Sequence, residues 1–174
     1  MAIAPIDSEQ RRRVEAETDR YVRMASEFYE REFPRIAVLF DLKGHTAGMF
    51  RYDGKRSVIR YNPWIFAKYF ELNLRDTVPH EVAHYIVHEL YPFRRVKPHG
   101  SQWQRVMDHF EADPGVTFDL DLSDVPQRRQ RTHPYRCACQ LHDVSTTRHN
   151  RMQRGKGQYL CLTCNVELVY AGAG

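Results

Sequence analysis

No stretch of this chain is apolar for long enough to cross a bilayer: no apolar run reaches eighteen residues, and hydrophobic residues make up 42% of the 174. Nor does the start of the sequence read as a secretory leader. Residues 1–8 are only mildly apolar, and Arg11-Arg12-Arg13 runs into acidic residues instead of an apolar segment. Cysteine is missing from the first 136 residues, and all four, Cys137, Cys139, Cys161 and Cys164, fall in the last 38. These absences argue for a cytoplasmic protein, and in a reducing compartment clustered cysteines read as metal ligands before they read as disulfides. Acidic residues are scarce at one end only. Residues 1–124 carry 18 Lys/Arg against 20 Asp/Glu, whereas residues 125–174 carry 8 against 2. The basic excess therefore belongs to the cysteine-bearing tail, where it suits either a polyanionic partner or a solvated surface.

What is present divides into an α+β domain over residues 1–125 and a small β subdomain over 126–174. Residues 8–31 carry apolar positions at helical spacing (Val14, Thr18, Tyr21, Val22, Ala25, Phe28), with Ser8 as the expected N-cap and Pro34 beyond the end. Three short runs, Ile36–Leu42, Thr46–Tyr52 and Ser57–Tyr61, read as a small, largely antiparallel sheet, the last two joined by the turn signal Asp53-Gly54. Thr46-Ala47-Gly48 reads as a site of close packing, with a peptide-binding sheet edge as the alternative. Asn62-Pro63 starts a helix. A second helix ends near Leu90, before Pro92; either it begins at Thr77, or it is longer and bends at Pro79. A third runs from Ser101 to about Phe110, with Trp103, Val106 and Met107 on its buried side. Val116–Phe118 is a short apolar stretch, and Arg128, Arg129 and Arg131 read as a linker or surface arm.

The middle of these helices holds His80-Glu81-Val82-Ala83-His84. Residues four apart share a helix face, so both imidazoles can reach one Zn²⁺ while Glu81 reaches a water on the metal. This pattern belongs to zinc hydrolases, whose usual reaction is peptide hydrolysis. A third ligand is needed. His88 stands one turn further along the helix, about 6 Å away, too far for a metal held between His80 and His84 at roughly 2 Å. His99, in Pro98-His99-Gly100 at a helix entrance, is the better ligand, and His109 faces away. Glu81 is then the expected catalytic base. Tyr85, Tyr91, Arg94 and Arg95 are near enough in sequence to aid the oxyanion. In the tail, Cys161-x-x-Cys164 has the spacing of a zinc knuckle. The other half is irregular: Cys139 with His142 restores a two-residue gap, Cys137 with Cys139 competes, and His149 is a further donor. Tyr135 and Tyr159 either pack across this unit or offer stacking platforms.

The ordered set Val78-Pro79-His80-Glu81-Val82-Ala83-His84, Pro98-His99-Gly100 with Trp103, Tyr135-Arg136-Cys137-x-Cys139, Arg148-His149-Asn150 and Tyr159-x-Cys161-x-x-Cys164 resembles the bacterial SprT-like proteins over about residues 12–169. The same protease domain occurs in Spartan, the eukaryotic protease that removes proteins crosslinked to DNA. The resemblance implies a minimal zincin-like metalloprotease with zinc on His80, His84 and His99, Glu81 as the catalytic residue, a zinc-ribbon-like subdomain and a DNA-dependent endopeptidase activity on proteins. The Cys137-x-Cys139 spacing departs from the Cys-x-x-Cys of the Spartan ribbon. Two other functions compete: DNA binding with purely structural zinc, and DNA-independent hydrolysis of small peptides.

Overall fold

The computed structural model describes residues 3–92, 96–115, 120–126 and 131–172. The expectations placed on Arg94, Arg95, Val116–Phe118, Arg128 and Arg129 lie outside the described residues. The chain forms two compact units, Met1–Gln127 and Arg128–Gly174.

The first unit begins with helix α1 (Ser8–Phe28). Its N-cap is Asp7 rather than Ser8. The Asp7 carboxylate accepts from the Gln10 N–H at 2.8 Å while the Gln10 side chain accepts from the Asp7 N–H at 3.1 Å, a reciprocal box that Ser8, with Arg11 three residues on, cannot make. Strands β1 (Ala37–Leu39), β2 (Gly48–Tyr52) and β3 (Ser57–Tyr61) form a sheet of order β1-β3-β2. The β2–β3 hairpin is antiparallel and closes through Asp53, whose carboxylate accepts from the Lys55 and Arg56 N–H groups at 2.9 Å each. The sheet as a whole is mixed, because residues 40–47 carry the chain past β3 and leave β1 parallel to it.

Helix α2 (Pro63–Lys68) is capped by Asn62, and helix α3 (Phe70–Leu90) runs through Pro79 as one helix. Of the two starts that the sequence allows, the structure takes the longer helix, and Asn73 shows why. This fully buried amide donates to the carbonyls of Tyr69 at 2.7 Å and Ile65 at 3.4 Å, and it accepts from the Thr77 hydroxyl at 2.7 Å. The first turns of α3 are thereby tied to α2, which offsets the backbone bond that Pro79 cannot make. Val78, Val82, Ala83 and Ile86 of α3 are all 0% exposed. A helix apolar on most sides must be covered on most sides; here α1, α4 (Ser101–His109) and the sheet cover it, and α3 becomes the axis of the core.

The second unit is a sheet of order β5-β4-β6, from β4 (Thr132–Arg136), β5 (Leu141–Ser145) and β6 (Val169–Tyr170), with helix α5 (Thr146–Gln153). Its apolar core is small: Tyr135, Val144, Cys161 and Leu168. Together the two units make an α+β, minimal zincin-like architecture. Among the described residues, no helix is long and apolar enough to cross a membrane.

Candidate metal centres

One centre lies on α3. His80 and His84 project from successive turns of it, and His99 comes from the loop before α4. His99 takes a left-handed backbone, φ 56°, a conformation that costs a non-glycine residue about 1 kcal/mol or more and that clusters at functional sites. Through that turn the three Nε2 atoms converge, at 3.0 Å for His84–His99, 3.1 Å for His80–His99 and 3.3 Å for His80–His84. Tetrahedral zinc with bonds of about 2.0–2.1 Å needs nitrogens roughly 3.3 Å apart, so the three imidazoles fit that ion with little adjustment. Burial keeps two of them neutral and ready to bind: it pushes His80 down to about 4 and His84 to about 3, helped by the neighbouring imidazoles.

Glu81, next to His80 in α3, is 7% exposed. Burial pushes its carboxyl up to about 7, while the hydrogen bond that Oε2 accepts from the Phe50 N–H at 2.7 Å pulls the other way. The sequence places Trp103 on the buried side of its helix. It is core, but its indole also packs against all three imidazoles, with ring centroids 4.8 Å from His80, 5.7 Å from His84 and 4.7 Å from His99, and its Nε1–H donates to the His80 carbonyl at 3.3 Å. Its position four residues after His99, in the first turn of the next helix, is the available signal. Trp103→Phe keeps most of the apolar contact and loses the indole donor. We expect about a tenfold loss of zinc affinity, measured by competition with a chromogenic chelator, with the fold intact by circular dichroism.

The other histidines and tyrosines are accounted for elsewhere. His88 packs on Tyr52 and Phe50, at ring distances of 4.4 and 5.5 Å. His109 stacks on Phe28 at 3.9 Å. Tyr85 donates its hydroxyl to the Pro34 carbonyl at 2.7 Å, away from the triad. Tyr91 caps the end of α3 through its backbone.

The second centre lies wholly within the second unit. The Sγ atoms of Cys137, Cys139, Cys161 and Cys164 all lie within 4.8 Å of one another, and none is in a disulfide. Adjacent pairs sit at 3.4 Å (Cys137–Cys139) and 3.6 Å (Cys139–Cys161), close to the roughly 3.8 Å between thiolates on tetrahedral zinc. The Cys161 thiol is held down at about 5 by the N–H groups of Cys164 and Thr163. Burial works against ionising Cys137, but hydrogen bonds from His142 and the backbone outweigh it and bring the thiol to about 7. His142 stands outside the group of four, with Nε2 3.1 Å from the Cys137 sulfur, the place of a donor to a thiolate. His149 is further off, stacked on His133 at 3.7 Å and hydrogen-bonded to the Tyr135 hydroxyl at 3.0 Å. Tyr135 packs inside the unit at 1% exposure, and Tyr159 lies half-buried beneath the Arg148 guanidinium.

Sequence comparison relates the chain to known proteins. A family model described as the SprT-like family matches residues 18–121. The chain is 37% identical over 159 residues to Protein SprT of Pasteurella multocida, covering 91% of this chain and 92% of that protein. It is also 37% identical over 154 residues to Protein SprT of Pseudomonas paraeruginosa (86% and 89% covered) and 32% identical over 164 residues to Protein SprT of Vibrio atlanticus (94% and 95% covered). With a family model spanning most of the first unit and relatives aligned along nearly the whole chain, the protein belongs to the SprT-like family and is a zinc metalloendopeptidase.

Proposed function

We propose that this chain is an endopeptidase for proteins associated with DNA, with its catalytic zinc on His80, His84 and His99 and Glu81 as general base. The observation that carries the peptidase reading is the convergence of three Nε2 atoms, with the residue after His80 a buried glutamate. Bound zinc supplies a Lewis acid that acidifies water and polarises the scissile carbonyl. Glu81 orients the attacking water, takes its proton and returns a proton to the departing amine. The second zinc is structural, on the cysteines of the tail. Four free thiols suit the cytoplasm, where they stay reduced.

The DNA reading is supported by charge and shape within the second unit. Arg148 and Arg151 of α5, with Arg154 and Lys156 just beyond it, are all exposed. Three of them line an open groove with Thr147 and Asn150. Cations grouped in this way hold phosphates without sequence preference, and their binding weakens steeply with salt.

The test is cleavage of histone or casein with and without single-stranded DNA, at low and high salt, for the wild type and for a triple Arg148→Ala, Arg151→Ala, Arg154→Ala variant. We expect DNA to speed cleavage at low salt only, and the variant to cleave at its DNA-free rate throughout. Cleavage indifferent to DNA would replace this reading with DNA-independent peptide hydrolysis. DNA binding with no cleavage of any substrate would replace it with a binding module.

A further inference from the structure

We propose that strand β2 is the positioning element of the catalytic carboxylate: the main-chain N–H of Phe50 holds Glu81, and Gly48 leaves the room that Glu81 occupies. This rests on Glu81 being the base.

β2 is an edge strand, hydrogen-bonded to β3 on one side only. In an antiparallel pair, alternate residues turn their N–H and C=O groups away from the partner strand. Phe50 is such a residue, and its N–H reaches Glu81 Oε2 at 2.7 Å, a charge-assisted distance. It is the one hydrogen bond given to the Glu81 side chain among the described residues. It fixes one oxygen of a carboxylate that is otherwise held by packing alone among the described residues.

The second half of the device is an absence. Gly48, Phe50 and Tyr52 lie on one face of β2 and run beside α3. Phe50 packs against Tyr85 and His88, at ring distances of 6.0 and 5.5 Å, and Tyr52 against His88 at 4.4 Å. At Gly48 there is no side chain. A Cβ there would lie 2.7 Å from Glu81 Cγ, 2.7 Å from Thr77 Cγ2 and 2.9 Å from Glu81 Oε1, separations that real Cβ atoms do not take up. Thr77 cannot give way cheaply, because its hydroxyl is bonded to the buried Asn73 at 2.7 Å. The close packing at position 48 therefore has a specific beneficiary. The strand comes near enough for its backbone to bond Glu81 only because residue 48 is glycine.

The experiment compares Phe50→Pro with Phe50→Leu, and adds Gly48→Ala. Proline removes the N–H where no ladder bond is lost, as edge positions permit; leucine changes the ring and keeps the N–H. We expect kcat of Phe50→Pro to fall about tenfold or more below that of Phe50→Leu, with KM and zinc content alike in the two. Gly48→Ala should lower kcat with zinc retained. A readout independent of turnover is the amide proton resonance of Phe50, which should move upfield in Glu81→Gln, where a neutral amide replaces the charged acceptor. Equal kcat in the proline and leucine variants, or a Phe50 amide unmoved in Glu81→Gln, would overturn the proposal. The amide measurement still decides if Phe50→Pro does not fold. Were Glu81→Gln itself to remain active, the reading of Glu81 as base would fail while the amide shift still reported the contact.

Discussion

Glu81→Gln should keep its zinc and lose its turnover, with kcat down by about 10²- to 10⁴-fold, roughly 3–5 kcal/mol of barrier. The change preserves the shape of the side chain and leaves His80, His84 and His99 to hold the metal, so zinc content and melting temperature should match the wild type. What disappears is an atom able to accept a proton. A pH profile sharpens the expectation. Burial raises the Glu81 carboxyl to about 7 in the metal-free protein, and a divalent cation on the neighbouring imidazoles moves it down from there. A base works only when ionised, so wild-type kcat should fall as pH drops through a value at or below about 7. His80 and His84, already pushed to about 4 and 3, do not compete for protons in that range, so zinc should stay bound along the falling limb. The residual rate of Glu81→Gln should lack the limb. Wild-type activity in the zinc-loaded variant would remove Glu81 from the chemistry.

Metal removal should have an effect as large, and it should fall unequally on the two units. Among the described residues, the main core cluster of the first unit holds twenty buried apolar residues, and the three histidines are only partly buried. The second has four buried core residues, one of them Cys161, while Leu141, Leu160, Leu162 and Val166 remain exposed. An apolar core of that size does not hold a fold by itself. A structural zinc contributes about 10–16 kcal/mol of apparent binding free energy, and that energy is folding energy when the site is absent from the unfolded chain. On treatment with a strong chelator, amide signals from residues 131–172 should collapse to unfolded positions, while those of α1, α3 and α4 persist. Cys161→Ser should reproduce the first change with metal present. A second unit that stays ordered without metal would show that its sheet, and not the cysteines, maintains it.

The pattern of what the sequence reveals has a physical basis. The meeting of His80 and His84 is legible because helical periodicity alone puts two imidazoles on one face. His99 follows from the reach of a zinc bond. The parts that escape depend on contacts between distant residues. Asn73 decides where α3 begins, but nothing local shows that its amide will be satisfied by α2. The parallel pairing of β1 depends on the path of residues 40–47 around β3. Asp7 wins the cap from Ser8 because Gln10, not Arg11, completes the box. In the tail, spacing leaves Cys137, Cys139, His142 and His149 as rivals; only the folded hairpin groups the four sulfurs and sets His142 beside one of them.

The bond between Phe50 and Glu81 bears on how this chain should be surveyed by mutation. Its donor is a peptide group, which every residue but proline supplies. Side-chain scanning along β2 would pass over position 50 without removing the donor. The cost appears two residues earlier, where one hydrogen atom is all the space allows. A deep mutational survey should therefore record a narrow intolerance at Gly48 and, at 50, proline set apart from the other apolar residues, which keep both the packing on Tyr85 and His88 and the N–H.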